Sequence, residues 1–296
     1  MTYSYQVYGL VLRLPFACPL LEEAPPGSTP DVEVTLGVVP ERLDSPVDWG
    51  RSWQVEPDRY LMRPHWGAGH FLLQRGESIT VQAKDGADEE LLRFQFLGTV
   101  LAALLRQRGL LVMHGMSVET PDGAVTVAGD SGAGKSTALL TLLARGCRML
   151  SDDLSALRLE SGGEVSVLPG VPRIHLPRDS ADKLNRRVEG LPTHPVRPFK
   201  SVLPASHAAA REPALLRKIY VLEPWDGDEL RVTALQGGSK LLALKSHCSK
   251  PANMLDASGL FGALSDLASR VPVYRVQRPR DLWTCDELAS ALLATV

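Results

Sequence analysis

Gly129-Asp130-Ser131-Gly132-Ala133-Gly134-Lys135-Ser136 is the stretch on which the reading of this chain turns. Gly129 and Gly134 enclose four residues and are followed at once by Lys and Ser, the Walker A pattern of a phosphate-binding loop, which predicts a bound nucleotide. Ahead of it, Ala124-Val125-Thr126-Val127-Ala128 reads as a buried strand; behind it, Ala138-Leu139-Leu140-Thr141-Leu142-Leu143 reads as a helix. The glycines let main-chain N–H groups curl around phosphate oxygens where a Cβ would block close approach. The helix points its positive end at the same anion, Lys135 serves the β and γ phosphates, and Ser136 offers a hydroxyl to Mg²⁺. The nucleotide contacts are thus expected from Gly129, Asp130, Ser131, Gly132, Ala133, Gly134, Lys135, Ser136 and Thr137.

Downstream, Cys147-Arg148-Met149-Leu150 reads as a strand after the Gly146 cap and leads into Ser151-Asp152-Asp153. Carboxylates at the end of a strand in a parallel sheet face the ligand crevice, so both are candidate catalytic residues. On extended backbone, adjacent side chains point to opposite sides, so one acid is assigned to metal or its water shell and the other to general base. Upstream, Leu110-Leu111-Val112-Met113 reads as a strand ending at His114-Gly115, and Met116 to Glu119 pairs with the strand before the loop across a Pro121-Asp122-Gly123 turn.

Residues 1–87 read as a small β-rich domain of short strands: Tyr5 to Tyr8, Val32 to Leu36, Tyr60 to Met62, His70 to Leu73 and Ser78 to Val81. Trp49, Trp53 and Trp66 are expected to fill its core rather than stack on a ligand. A helix from Asp88 to Arg108, ended by Gly109, opens the second domain, 88–296. Between Arg173 and Lys200 there are seven Lys or Arg against three acids, an excess suited to phosphates or an acidic substrate. It reads equally as a solvated loop, and Pro192, Pro195, Pro198 and Pro204 argue for irregular backbone there. Leu215 to Leu222 and Glu229 to Ala234 read as a hairpin; a helix from about Asp256 to Arg270, a strand from Val271 to Val276 and a helix from Thr284 to Leu293 complete the chain.

The 296 residues carry a net charge of -2, which gives no argument for nucleic acid or an anionic membrane as partner. Four scattered cysteines form no ligand cluster and suit a reducing compartment; no secretory signal or spanning segment is read, so the expectation is a soluble cytoplasmic protein. Self-association into a homo-oligomer is left open.

His114-Gly115, the loop Gly129 to Ser136 and the Asp152-Asp153 pair, at these separations, closely resemble the catalytic core of HPr kinase/phosphorylase. The resemblance implies an α/β fold with a P-loop kinase core related to that of phosphoenolpyruvate carboxykinase. It implies Asp153 as general base, Asp152 near the metal with Ser136, His114 near the transferred phosphate, and ATP with Mg²⁺ as cofactors. Thr137 stands where the carrier-protein kinases usually have Glu, and no segment matches their later Glu-Val-Arg-Gly. The short β-rich start, Tyr8-Gly9-Leu10 and Pro169-Gly170-Val171-Pro172-Arg173 look more like HPr kinase-like proteins found with lasso-peptide biosynthesis, which are similar to kinases of a precursor peptide's C-terminal Ser. The expected activity is therefore an ATP-dependent serine kinase with a peptide or small-protein acceptor, and Arg173, Arg197 and Lys240 as candidate substrate contacts. An HPr(Ser) kinase/phosphorylase, a small-metabolite kinase and an ATPase switch are the alternatives.

Overall fold

The computed structural model describes residues 1–248 and 257–294, a mixed α/β chain built on three sheets. Two compact units emerge, one of Met1–Leu111 with a short later segment ending at Leu260, the other of Val112–Cys248 with Phe261–Val296.

The first unit carries one nine-stranded sheet. Its strands are β1 (Tyr3–Val7), β2 (Leu10–Leu14), β3 (Glu22–Glu23), β4 (Val32–Leu36), β5 (Asp48–Gly50), β6 (Trp53–Val55), β7 (Arg59–Met62), β8 (Gly69–Gln74) and β9 (Ser78–Ala83). They lie in the order β3-β1-β2-β4-β9-β8-β7-β6-β5. Alternation sets the buried face: Leu10, Leu12 and Leu14 on β2 point inward while Val11 and Arg13 do not. Tyr8 and Gly9, both at positive φ, make the tight turn that pairs β1 with β2, a hairpin the sequence reading passed over. The tryptophans do not all enter the core as expected: Trp49 and Trp66 are 67% and 58% exposed, and Trp53 stacks on buried Tyr60. Asp88 caps the helix that follows, accepting from the N–H groups of Glu90 and Leu91, and a π-turn over Phe96–Val100 interrupts it between Glu89–Gln95 and Leu101–Gln107.

Leu111 to Thr120, all but its first residue in the second unit, is one continuous strand, β10, and does not end at His114-Gly115 as expected. Gly115 permits this, because a Cβ there would sit 2.6 Å from the Val127 carbonyl oxygen of the neighbouring strand β11 (Gly123–Gly129). β10 and β11 form the expected antiparallel hairpin. β12 (Arg148–Ser151) pairs antiparallel with β10, so the strand before the acidic pair is not part of a parallel sheet. β13 (Leu154–Leu159) and β14 (Val165–Leu168) follow, and β14 leads antiparallel onto β18 (Ala214–Trp225).

β18 runs parallel to β11 on one side and to β20 (Val273–Pro279) on the other. β19 (Arg231–Ala234) pairs with β20, not β18. The expected hairpin of β18 and β19 is therefore absent, because the later β20 lies between them. Closure of β10, β13, β14, β18 and β11 on one another leaves the carboxyl ends of the parallel strands β11, β18 and β20 together, where α/β sheets bind ligands. The helix Lys135–Ala144 packs beneath, burying Ala138, Leu139, Leu140 and Leu142 with Met116, Val127, Met149 and Leu222. Each such leucine contributes about 1.5–3 kcal/mol by leaving water.

The region from Arg173 to Lys200 is irregular only in part, over residues 184–192 with Pro192. It folds into β15 (Arg173–Pro177), β16 (Thr193–His194) and β17 (Arg197–Pro204), in the order β15-β17-β16, with a short helix Arg178–Lys183. The prolines are accommodated at margins: Pro204 ends β17, and Pro198 falls at a register shift between β16 and β17. The helix expected from about Asp256 is described over Ala257–Arg270, Asp256 itself lying outside the described residues, and the last runs over Cys285–Leu293. Among the described residues no helix is long and apolar enough to cross a membrane.

Candidate functional site

β11 ends at Gly129, and residues 130–134 turn into the helix beginning at Lys135, giving strand, loop and helix in the predicted order. The backbone makes glycine necessary: Gly129, Gly132 and Gly134 have φ of 152°, 92° and 102°. A Cβ on Gly129 would approach the Leu222 carbonyl oxygen to 2.6 Å, and one on Gly134 would collide with the Arg278 guanidinium. Lys135 is buried, and its ammonium donates to the carbonyls of Gly129 at 2.7 Å and Asp130 at 3.0 Å. Burial lowers its pKa, against the opposing pull of Asp153 and Asp152.

The acidic pair departs from the sequence reading in a way that matters chemically. Asp153 has φ 69°, and the Leu154 N–H closes a three-residue turn onto the Asp152 carbonyl at 2.9 Å. The backbone is bent rather than extended, so both carboxylates fall on one side instead of opposite sides. His175, buried on β15, holds them together: its N–H donates to Asp152 at 2.9 Å and its ring Nδ1 bonds Asp153. The Ser136 hydroxyl donates to the two Asp152 oxygens at 3.2 and 3.4 Å. Ligand atoms of Asp152, Asp153 and His175 all lie within 4.8 Å of one another, a set of hard oxygens and one imidazole that suits a divalent cation.

The pair is pushed apart in acidity. Burial, reinforced by the neighbouring Asp153 charge, raises Asp152 to about 6. Burial also pushes Asp153 upward, but the His175 hydrogen bond and charge, with His114 and Lys200, outweigh it and hold that carboxyl far below the ordinary range. Beneath the turn, buried hydroxyls tie four strands together: Ser117 bonds Thr126 at 2.8 Å and Ser155 at 2.7 Å, and Ser155 bonds Ser151 at 2.9 Å. Ser155 also donates to the Gly115 carbonyl at 3.1 Å. This network fixes the acids relative to the loop strand.

A cavity of about 790 Å³ opens over this cluster. It is lined by Lys135, Arg178, Lys183, Arg197, Lys200, Arg278 and Arg280 against Asp153, Asp179 and Asp281, a surplus of positive charge that favours a polyanion. Of the sequence candidates, Ser131, Gly132, Gly134, Lys135, Ser136, Thr137, His114 and Asp153 line it, and Asp152 lies just behind through Ser136. His114 is half-buried; burial and then Lys135 lower its pKa, and its N–H donates to the His247 carbonyl at 2.7 Å. Arg197 reaches the loop, donating to the Ser131 hydroxyl at 2.7 Å. Arg173 and Lys240 are not brought to the cavity wall. Arg173 is buried at the start of β15, and Lys240 lies in the helix Gly237–Ser246 beside a separate groove with Leu235 and Ser269.

Several contributors escaped the sequence reading. Arg278, near the end of β20, donates to the Ala133 carbonyl at 3.3 Å and so abuts the loop. His175 sat unremarked in an apolar run, Arg173-Ile174-His175-Leu176-Pro177, where a buried polar residue was the available signal. His194 packs edge-on against it and accepts at Nδ1 from the N–H groups of Val196 and Arg197; burial, then His175 and Lys200, lower it to about 4. Trp283, 40% exposed with Lys183 over its ring, joins exposed Phe199 and Leu282 at the cavity wall.

No family model matches the chain, and no curated protein matches it. Among solved structures it is similar to the HPr(Ser) kinase/phosphatase from Coxiella burnetii, at 14% identity and a TM-score of 0.32, over 62% of this chain and 93% of that one.

Proposed function

We propose that this cavity transfers the γ-phosphoryl group of ATP to a serine hydroxyl of a peptide or small protein. The observation that carries the reading is the convergence of Lys135, Ser136, Asp152 and Asp153 beside one glycine-rich turn in a cation-rich cavity. Phosphoryl transfer asks for this division: cations and main-chain N–H groups on the phosphates, an acid for metal, and an acceptor for the hydroxyl proton.

The donor set fits magnesium, since Ser136 Oγ already meets the Asp152 carboxylate at 3.2 Å. When bound, the ion supplies charge neutralisation on the β and γ phosphates. Lys135, Arg197 and Arg278 carry the cationic side of phosphate binding, and Gly134 keeps the loop open to it. Asp153 faces the cavity and accepts the proton as the serine oxygen bonds to phosphorus and the bond to ADP breaks; His175 at its second oxygen orients the carboxylate. The exposed Phe199, Leu282 and Trp283 give the wall an apolar side suited to a peptide rather than free serine. The C-terminal Ser of a precursor peptide is the narrower form of this proposal.

Incubation of the protein with ATP, magnesium and serine-bearing peptides, followed by mass spectrometry, tests it. Phosphoserine formation is the expected result. Phosphate release at the same rate with and without every peptide, and no phosphopeptide, would make it an ATPase.

A further inference from the structure

The first unit has a cavity of its own, of about 450 Å³, walled by the β5–β6 hairpin, Leu61, Arg63, Pro64, His65, His70 of β8 and Lys84 after β9. Two of its three Lys or Arg side chains are placed by main chain rather than by acids, and the third, Arg51, is exposed. Arg63 donates to the carbonyls of Val39 at 3.2 Å and Pro40 at 3.1 Å, and Lys84 to those of Pro64 at 3.2 Å and His65 at 3.1 Å. Carbonyls fix the position of a charge without cancelling it. Among the described residues Arg51, Arg63 and Lys84 form no ion pair, and Glu41 is the one carboxylate on the wall.

His70 stands among them with its Nδ1 buried and without a hydrogen-bond partner among the described residues. Burial, then the charges of Arg63 and Lys84, lower its pKa, the signature of a positive field that no internal acid answers. The rest of the wall mixes polar Ser52, Gln54 and His65 with an apolar side made by Leu61, Pro64 and the Trp53 indole, which covers Gly50 across the hairpin turn. Trp49 and Trp66, exposed, neighbour the wall residues Gly50 and His65 in sequence.

We infer that this cavity binds an acidic peptide segment, seating one or two carboxylate side chains on Arg51, Arg63 and Lys84 with an apolar side chain against Trp53. A peptide fits better than a nucleic acid strand because the cations gather around one open cavity rather than along a groove that tracks successive phosphates. The cavity also exceeds what a single inorganic anion would fill, and its apolar wall would gain nothing from one. This inference does not depend on the kinase reading.

Calorimetry on the full chain, without nucleotide, tests it with four probes: an octapeptide of Glu, Asp and Leu, its Gln, Asn and Leu counterpart, an eight-nucleotide oligothymidylate, and inorganic phosphate. The acidic peptide is expected to bind at least about tenfold more tightly than the amide counterpart, and the difference should shrink with salt. The Arg51→Ala/Lys84→Gln double variant should lose at least about tenfold in peptide affinity, with Arg51→Lys/Lys84→Arg restoring most of it and ATP affinity unchanged in both. Unchanged peptide affinity in the double variant overturns the inference, since the peptide would then be bound elsewhere. So would equal affinity for the amide peptide, or oligothymidylate or phosphate binding as tightly as the acidic peptide and lost in the same variant.

Discussion

Two cavities in this chain are rich in cations, and they differ in what stands among those cations. In the loop cavity Asp153 faces inward with Asp152 behind it, bound by His175 on a turn held at a left-handed φ of 69°. In the sheet cavity of the first unit, Arg63 and Lys84 rest on main-chain carbonyls and a single acid shares the wall. Unlike charges crowded under strain are costly to fold and useful for moving a proton; like charges held on neutral carbonyls are suited to binding alone. On the two proposals above, the same surplus of positive charge would serve two purposes, told apart by where the acids are.

The largest effect should come from the group that sets the loop cavity apart. Asp153→Asn should lower phosphoryl transfer about 10²- to 10⁴-fold while leaving ATP affinity near wild type, read by transfer kinetics beside nucleotide calorimetry. Transfer at wild-type rate would reduce that carboxylate to a structural role and erase the contrast. Next is Gly134→Ala, whose Cβ would meet the Arg278 guanidinium at a residue with φ 102°. Strain of about 1–3 kcal/mol corresponds to roughly a 5- to 150-fold loss of ATP affinity, measured by calorimetry.

Asp152→Asn sharpens the comparison through stability. The folded carboxyl titrates at about 6, above its ordinary value of 3.8, so between these values the native state binds more protons than the unfolded chain. Stability is thus lost as pH rises through that window, and the amide, which never ionises, escapes the loss. The variant should be more stable than wild type by about 1–2 kcal/mol at pH 8 and show no gain at pH 4, in urea melts run at both values, while metal-dependent transfer falls. Equal stability at pH 8 would mean that the two acids do not burden the fold. The smallest effect on transfer belongs to Ser155→Ala, which removes the hub of the buried hydroxyls under the acidic turn. Leaving Ser117 and Ser151 short of a partner should cost about 1–3 kcal/mol in the same melts, with a modest fall in transfer.

The local part of this site was legible in the sequence because its cause is local. Gly129, Gly134, Lys135 and Ser136 sit on consecutive backbone, and the apolar runs on either side dictate a strand and a helix wherever the chain goes afterwards. The turn at Asp152-Asp153 was legible in place but not in shape, since aspartate tolerates the left-handed region without requiring it, and the partner on β15 helps hold Asp153 there. His175 and Arg278 reach the site by pairings between distant segments, β15 with β17 and β20 with β18, and such register is set by tertiary contacts. For the same reason β18 and β19, neighbours in sequence with a turn between them, read as a hairpin although β20 separates them. The exposed Trp49 and Trp66 were misjudged because size and hydropathy say how favourable burial is, not whether the sheet offers a place.

The most direct test of the central claim is calorimetric titration of ATP with magnesium into the wild-type chain and into Lys135→Met. The account predicts saturable 1:1 binding to the wild type and a loss of at least about tenfold without the ammonium. Absence of binding to the wild type, or equal affinity in the two proteins, would contradict it.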